Sequence, residues 1–196
     1  MDGRTHAAVG TAAALLVVRP TRPEDIVITA SVGAFAALLA DIDTGGKVSK
    51  YVRRITGVFL SIIAFFIVQA AITGGSFIDG INRSGIAVNL LGLAMLITFS
   101  VYGGTQPHRG FTHSVVACAA ASGCAYLVFK GITPAFVIGY ASHLIADFPN
   151  KKGEQLLWPL PDRWSLSVCK SNGLAATVTK ITAEVVSIGY LVYLNL

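Results

Sequence analysis

Seven side chains suited to holding a divalent metal sit in four short motifs of this chain: His6 near the start, Asp41 and Asp43 in LLADID, His108 and His113 in PHRGFTHS, and His143 and Asp147 in SHLIADF. They include all four histidines of the sequence. Imidazole with carboxylate, and no thiolate, suits zinc, manganese or iron without choosing among them. Four imidazoles and three carboxylates exceed the three protein ligands of an open catalytic zinc, but two divalent ions bridged by a carboxylate would use them all. A binuclear centre is therefore expected.

The spacing inside each motif says how its ligands can converge. His143 and Asp147 are four apart, which on a helix leaves them on one face about 40° apart. Asp41 and Asp43 would diverge on a continuous helix, but the Thr44-Gly45-Gly46 that follows predicts a helix-ending turn where both can point the same way. Pro107 and Gly110 predict a loop carrying His108 and His113 into a helix that begins near Thr112 or Ser114. Arg109, with its planar fork, is the candidate clamp for a phosphate, and Asp43 or Glu154 is the candidate general base.

These motifs must be positioned by elements of a membrane protein. Hydrophobic residues make up 54% of the chain and charged ones 13%, and the mean hydropathy is +0.67, which excludes an ordinary water-soluble domain. Apolar runs fall near 7–18, 26–40, 55–73, 84–102, 114–129, 132–146 and 174–194. Backbone groups in lipid must be satisfied within the segment, so each run is expected to be a helix, and the alternation a barrel would need is missing. The fold class expected is all-α: a polytopic membrane helical bundle of about seven apolar helices, some short or re-entrant, forming one domain over 1–196. Cys118, Cys124 and Cys169 make no CxxC pair and imply neither a disulfide framework nor a thiolate metal site. Arg4 and the apolar run after it resemble a signal peptide, but no small-residue cleavage site follows, so retention is expected.

Threading the chain through a bilayer brings every motif to the same side, because two apolar runs separate each motif from the next. Ten basic residues (Arg4, Lys47, Lys50, Arg53, Arg54, Arg109, Lys151, Lys152, Arg163 and Lys170) lie on that side, against Arg19, Arg22, Arg83 and Lys130 opposite. The positive-inside rule makes the motif side cytoplasmic. The net charge of +5 is explained by this topology, so no nucleic-acid partner is expected. KVSKYVRR, residues 47–54, is read as a topology signal and a contact for anionic lipid. Lys180 and Glu184, four apart in the last run, are read as a mutually neutralising pair. GEQLLWPLPDRW, with two tryptophans, is read either as an interfacial flap lining the way to the site or as a structural belt.

With these residues in view, the chain resembles the YdjM-like family of inner-membrane metal-dependent hydrolases. The resemblance is carried by His6, the carboxylate pair in ADID, HRGFTHS and HLIADFPNKKGEQLLWP. The chain departs from the family pattern at Ala40, where proline is frequent, and at Asn150, where threonine is common. The resemblance implies an integral inner-membrane protein with a metal-dependent hydrolytic site. Because the motif-bearing hairpins are short for a bilayer of about 30 Å, the site is expected at the depth of lipid phosphates. The expected substrate is a lipid or other amphiphile with a phosphoester, attacked by water activated at the metals. Two alternatives belong to other classes: a divalent-metal transporter or sensor, and a non-catalytic scaffold stabilised by metal. The transporter would need ligands near mid-membrane instead of at segment ends, and a structural site would be closed.

Overall fold

Each apolar run forms a helix in the computed structural model, which describes residues 2–73, 85–168 and 173–194, with the side chains of 46–49, 70, 71 and 73 left out. Arg83, Cys169 and Lys170 lie outside the described residues. In chain order the helices are α1 (Gly3–Val18), α2 (Pro23–Leu39), α3 (Gly46–Thr73), α4 (Ile86–Gly103), α5 (Val115–Val128), α6 (Thr133–Asp147) and α7 (Leu174–Leu194). Among the described residues there is no β-strand beyond an isolated bridge between Glu154 and Trp164. The protein is an all-α membrane helical bundle. Among the described residues, four stretches are long and apolar enough to cross a membrane: Pro23–Asp43, Lys50–Gln69, Ile86–Gly103 and Leu174–Leu194.

Local chemistry sets the ends that matter. The Asp2 carboxylate caps α1 by accepting from Thr5 N at 2.8 Å, which places His6 in the first turn. Pro23 opens α2 with Glu24 and Asp25 in the first turn, where acidic side chains complement the helix dipole. The far end of α2 tightens into a 3-10 turn, Ala40–Asp43, which holds both aspartates. Ser114 caps α5 through Ala117 N at 3.0 Å, just after a 3-10 turn over Phe111–His113. One boundary differs from the sequence expectation: α3 starts at Gly46, absorbing the basic cluster that polarity alone assigned to a loop. Lysine and arginine are good helix formers, and a charged stretch without a breaker continues the helix it precedes.

Three helices carry the site and cross at very short range. A Cβ built on Gly10 of α1 would lie 2.5 Å from the Gly33 carbonyl of α2, and one on Gly33 would lie 2.6 Å from both the Gly10 carbonyl and Ala14 Cβ. Gly139 of α6 meets the Gly33 backbone as well. Helices in lipid associate through such small residues because no hydrophobic force drives them together. Phe35, Leu39, Phe136 and Tyr140 fill the space beside this crossing. By contrast, α3 and α7 present a row of large apolar side chains outward, from Val58, Ile62 and Phe65 to Ile181, Val185 and Ile188. In α7, Lys180 and Glu184 approach to 3.9 Å, as their spacing predicts.

Candidate metal centre

The N-terminal turn of α1, the turn after α2, the 107–114 loop and the last turn of α6 meet at one end of the bundle. All seven side chains expected from the motifs are brought together there. Asp41, Asp43, His108 and His113 form one group in which each residue offers a ligand atom and these atoms lie within 4.8 Å of one another. His6, His143 and Asp147 form a second. His6 and His143 stack with ring centroids 3.8 Å apart. The four motifs, far apart in sequence, thus lie together at one end of the bundle. Apart from His108, whose side chain is 39% exposed, the cluster is buried.

Between the two groups two imidazole nitrogens face each other. His143 Nε2 lies 3.2 Å from His113 Nε2, and Asp41 Oδ1 is 3.9 Å from the first and 3.7 Å from the second. On His143 the other ring nitrogen, Nδ1, donates to the Ala37 carbonyl at 2.7 Å, so in the neutral ring Nε2 carries a lone pair. His113 Nδ1 is held by Thr112 Oγ1 at 3.1 Å and Asp43 Oδ2 at 3.3 Å, which directs its own Nε2 lone pair at the same point. Two lone pairs at that distance repel unless a cation lies between or beside them. Without a metal, a proton on His113 can serve: burial disfavours the charged ring, but Asp41 and Asp43 outweigh it and raise its pKa to about 10. His6 Nε2 pairs with Asp147 Oδ1 at 3.2 Å, while its Nδ1 has no hydrogen-bond partner. A buried imidazole paired with a carboxylate and open at its other nitrogen suits a metal ligand. The donor set therefore fits divalent ions.

Other groups orient the candidates. Asp43 is committed on both oxygens: Oδ1 is 3.0 Å from His108 Nδ1, and Oδ2 accepts from Arg109 N at 3.1 Å and Thr112 Oγ1 at 2.7 Å. It fixes the tautomers of two imidazoles, as carboxylates do behind metal-bound histidines. Arg109, read from sequence as a clamp open to phosphate, is instead turned inward and buried: Nη2 donates to Asp147 Oδ2 at 2.5 Å and Nη1 to the Lys152 carbonyl. The buried carboxylate draws the guanidinium in. Its backbone is left-handed (φ 63), a conformation rare outside glycine, and its carbonyl and amide are both engaged. Glu154, the other candidate base, is fully buried beside His113 and Asp147 with neither oxygen hydrogen-bonded. Burial lifts its pKa to about 8, although His113 and Arg109 pull it down.

Four contributors were not anticipated. Thr112 lies inside the quoted motif, and its position beside His113 could have suggested a role. Tyr140, whose hydroxyl donates to the Thr112 carbonyl at 2.6 Å, shares a face of α6 with His143. Asn150 Nδ2 donates to Asp147 Oδ1 at 2.6 Å, a polar role its place after the motif hints at. The Ala37 carbonyl has no side-chain signature.

Residues 1–195 match the family described as YdjM inner membrane protein. Two curated relatives, the inner membrane protein YdjM of Escherichia coli (strain K12) and that of Shigella flexneri, are each 43% identical over 68 residues. The match covers 31% of this chain and 35% of either relative. No solved structure matches significantly.

Proposed function

The chain belongs to the YdjM inner membrane protein family, and from that premise and the buried cluster we propose a metal-dependent hydrolase of the inner membrane that cleaves a phosphoester in a lipid or other amphiphile at the cytoplasmic face. The observation that carries the proposal is the pair of Nε2 atoms, on His113 and His143, aimed at one point 3.2 Å apart with the Asp41 carboxylate beside them. His6, Asp41, His108, His113, His143 and Asp147 would hold two divalent ions (zinc, manganese or iron), with Asp43 within ligand distance and orienting two of the imidazoles. Bound there, such ions supply Lewis-acid polarisation and water acidic enough to ionise near neutral pH.

The protein's own groups do the rest. Asp43 and Thr112 hold His113 in one tautomer, and the Ala37 carbonyl does the same for His143. Arg109 holds Asp147 in place through its Nη2. His108, exposed while the other histidines are buried, stands where a substrate first meets the site. Of the two carboxylates considered as base, Asp43 has both oxygens engaged and Glu154 has neither. An amphiphilic substrate suits the surroundings. Helices α1, α5 and α6 have 16, 14 and 15 residues. At about 1.5 Å per residue they fall short of a core of about 30 Å and draw the motif ends toward headgroup depth. Nearby, Leu157, Leu160 and Trp164 are exposed beside Lys151, Lys152 and Arg163, a combination suited to the lipid interface.

The test is metal analysis of detergent-purified wild-type protein and of a His113→Ala/His143→Ala double variant, followed by a screen of phospholipids and isoprenoid phosphates for released phosphate or headgroup. Metal lost in the double variant and turnover that tracks metal occupancy are expected. Metal retained after both substitutions would overturn the site. Ion flux in liposomes without any turnover would replace the hydrolase with a transporter.

A further inference from the structure

Glu154 is hard to account for as a structural residue. It has no exposed surface, and neither carboxylate oxygen finds a hydrogen-bond donor. Such burial is costly unless something compensates it. The chain nevertheless fixes it inward. The Glu154 amide donates to the Trp164 carbonyl at 2.9 Å and the Trp164 amide returns a bond at 2.8 Å. The next two residues are tied to the motif loop, Gln155 N donating to the Arg109 carbonyl at 3.1 Å and Val115 N to the Leu156 carbonyl at 3.0 Å. Two backbone bonds thus close the 154–164 hairpin, and two more tie it to the loop that carries His108 and His113 and to the start of α5.

The position of the side chain is specific. Glu154, His113 and Asp147 each offer a ligand atom, and these atoms lie within 4.8 Å of one another. His113 belongs to the group with Asp41, Asp43 and His108, whereas Asp147 belongs to the group with His6 and His143. Glu154 therefore adjoins one member of each group and has two open oxygens. We infer that Glu154 is the carboxylate that joins the two halves of the centre, giving one oxygen to a cation in each. The inference rests on the metal centre proposed above and goes further by assigning a bridging ligand that comes from outside the four motifs. The competing role for the same residue, proton acceptor, needs one oxygen and leaves metal content unchanged.

The experiment compares full-length wild type, Glu154→Gln and Glu154→Asp in detergent, loaded with Mn²⁺. It reads metal content, the electron paramagnetic resonance spectrum, and thermal melting with and without metal. Wild type is expected to bind about two ions per chain with an exchange-coupled spectrum, as a bridged pair requires. Glu154→Gln should fall to about half that content with an uncoupled spectrum, and Glu154→Asp, one methylene shorter, should lose the coupling. Metal should raise the melting temperature of Glu154→Gln less than that of wild type, because one of the two cations loses its carboxylate. Full content and a coupled spectrum in Glu154→Gln would overturn the bridge even if turnover were abolished. A wild-type spectrum of uncoupled ions would overturn it without recourse to any variant. Wild type that binds no metal would overturn the centre itself, a result distinct from loss of the bridge alone.

Discussion

His113 and Glu154 both hold a proton more tightly than they would in an unfolded chain, and that has a definite sign. His113 titrates at about 10 against an ordinary 6.5, and Glu154 at about 8 against an ordinary 4.5. Where the folded state binds more protons than the unfolded one, stability falls as pH rises. The contribution of His113 is complete below its unfolded pKa and gone above about 10, and that of Glu154 is lost from about 4.5 to about 8. The metal-free protein should therefore melt at progressively lower temperature from about pH 6 to about pH 9. Metal displaces protons from its ligands, so the rise in melting temperature on adding metal should grow over the same range. Melting curves with and without chelator check both trends. Arg109 supplies a second prediction. Its guanidinium and the Asp147 carboxylate are both buried and 2.5 Å apart, so Arg109→Ala should cost about 3–5 kcal/mol in a denaturation experiment. Arg109→Lys should recover part of that, because the charge returns without the fork.

At the scale of elements, the crossing of α1, α2 and α6 decides whether the ligands meet. Each of these helices contributes to the cluster: His6 from α1, the aspartates from the turn after α2, and His143 and Asp147 from α6. Gly33 sits at the crossing with no room for a Cβ. Gly33→Val should cost about 1–3 kcal/mol through overpacking and should also lower metal content, because it moves α1 and α6 away from α2. Gly189→Ala in α7, where an added Cβ meets nothing within 4 Å, should change neither. Metal content and melting temperature measured on the same preparations separate the two cases. The helices themselves were legible from hydropathy: each of the seven apolar runs has its helix, in the expected order, among the described residues. The start of α3 was not, because polarity marks where a chain leaves lipid and not where its helix ends.

For the whole molecule, the family places the protein in the inner membrane, and the cytoplasmic orientation of the site is part of the proposal. Single cysteines at Lys151 and Arg53, both exposed, should react with a membrane-impermeant thiol reagent only in inverted vesicles, whereas one at Arg22 should react only in right-side-out ones. The reverse pattern would move the site to the other face. Sequence by itself determined the class of fold and the set of ligand-type residues. Hydropathy dictates helices in lipid, and an even number of apolar runs between motifs brings their ends together whatever the details of packing. The tertiary structure decided which atoms are open. It engages Asp43 with the two imidazoles, turns Arg109 inward, buries Glu154 and gives His143 Nδ1 to a carbonyl 106 residues away. Such assignments depend on contacts between distant segments at a resolution of a single hydrogen bond, and residue type and spacing carry no record of them.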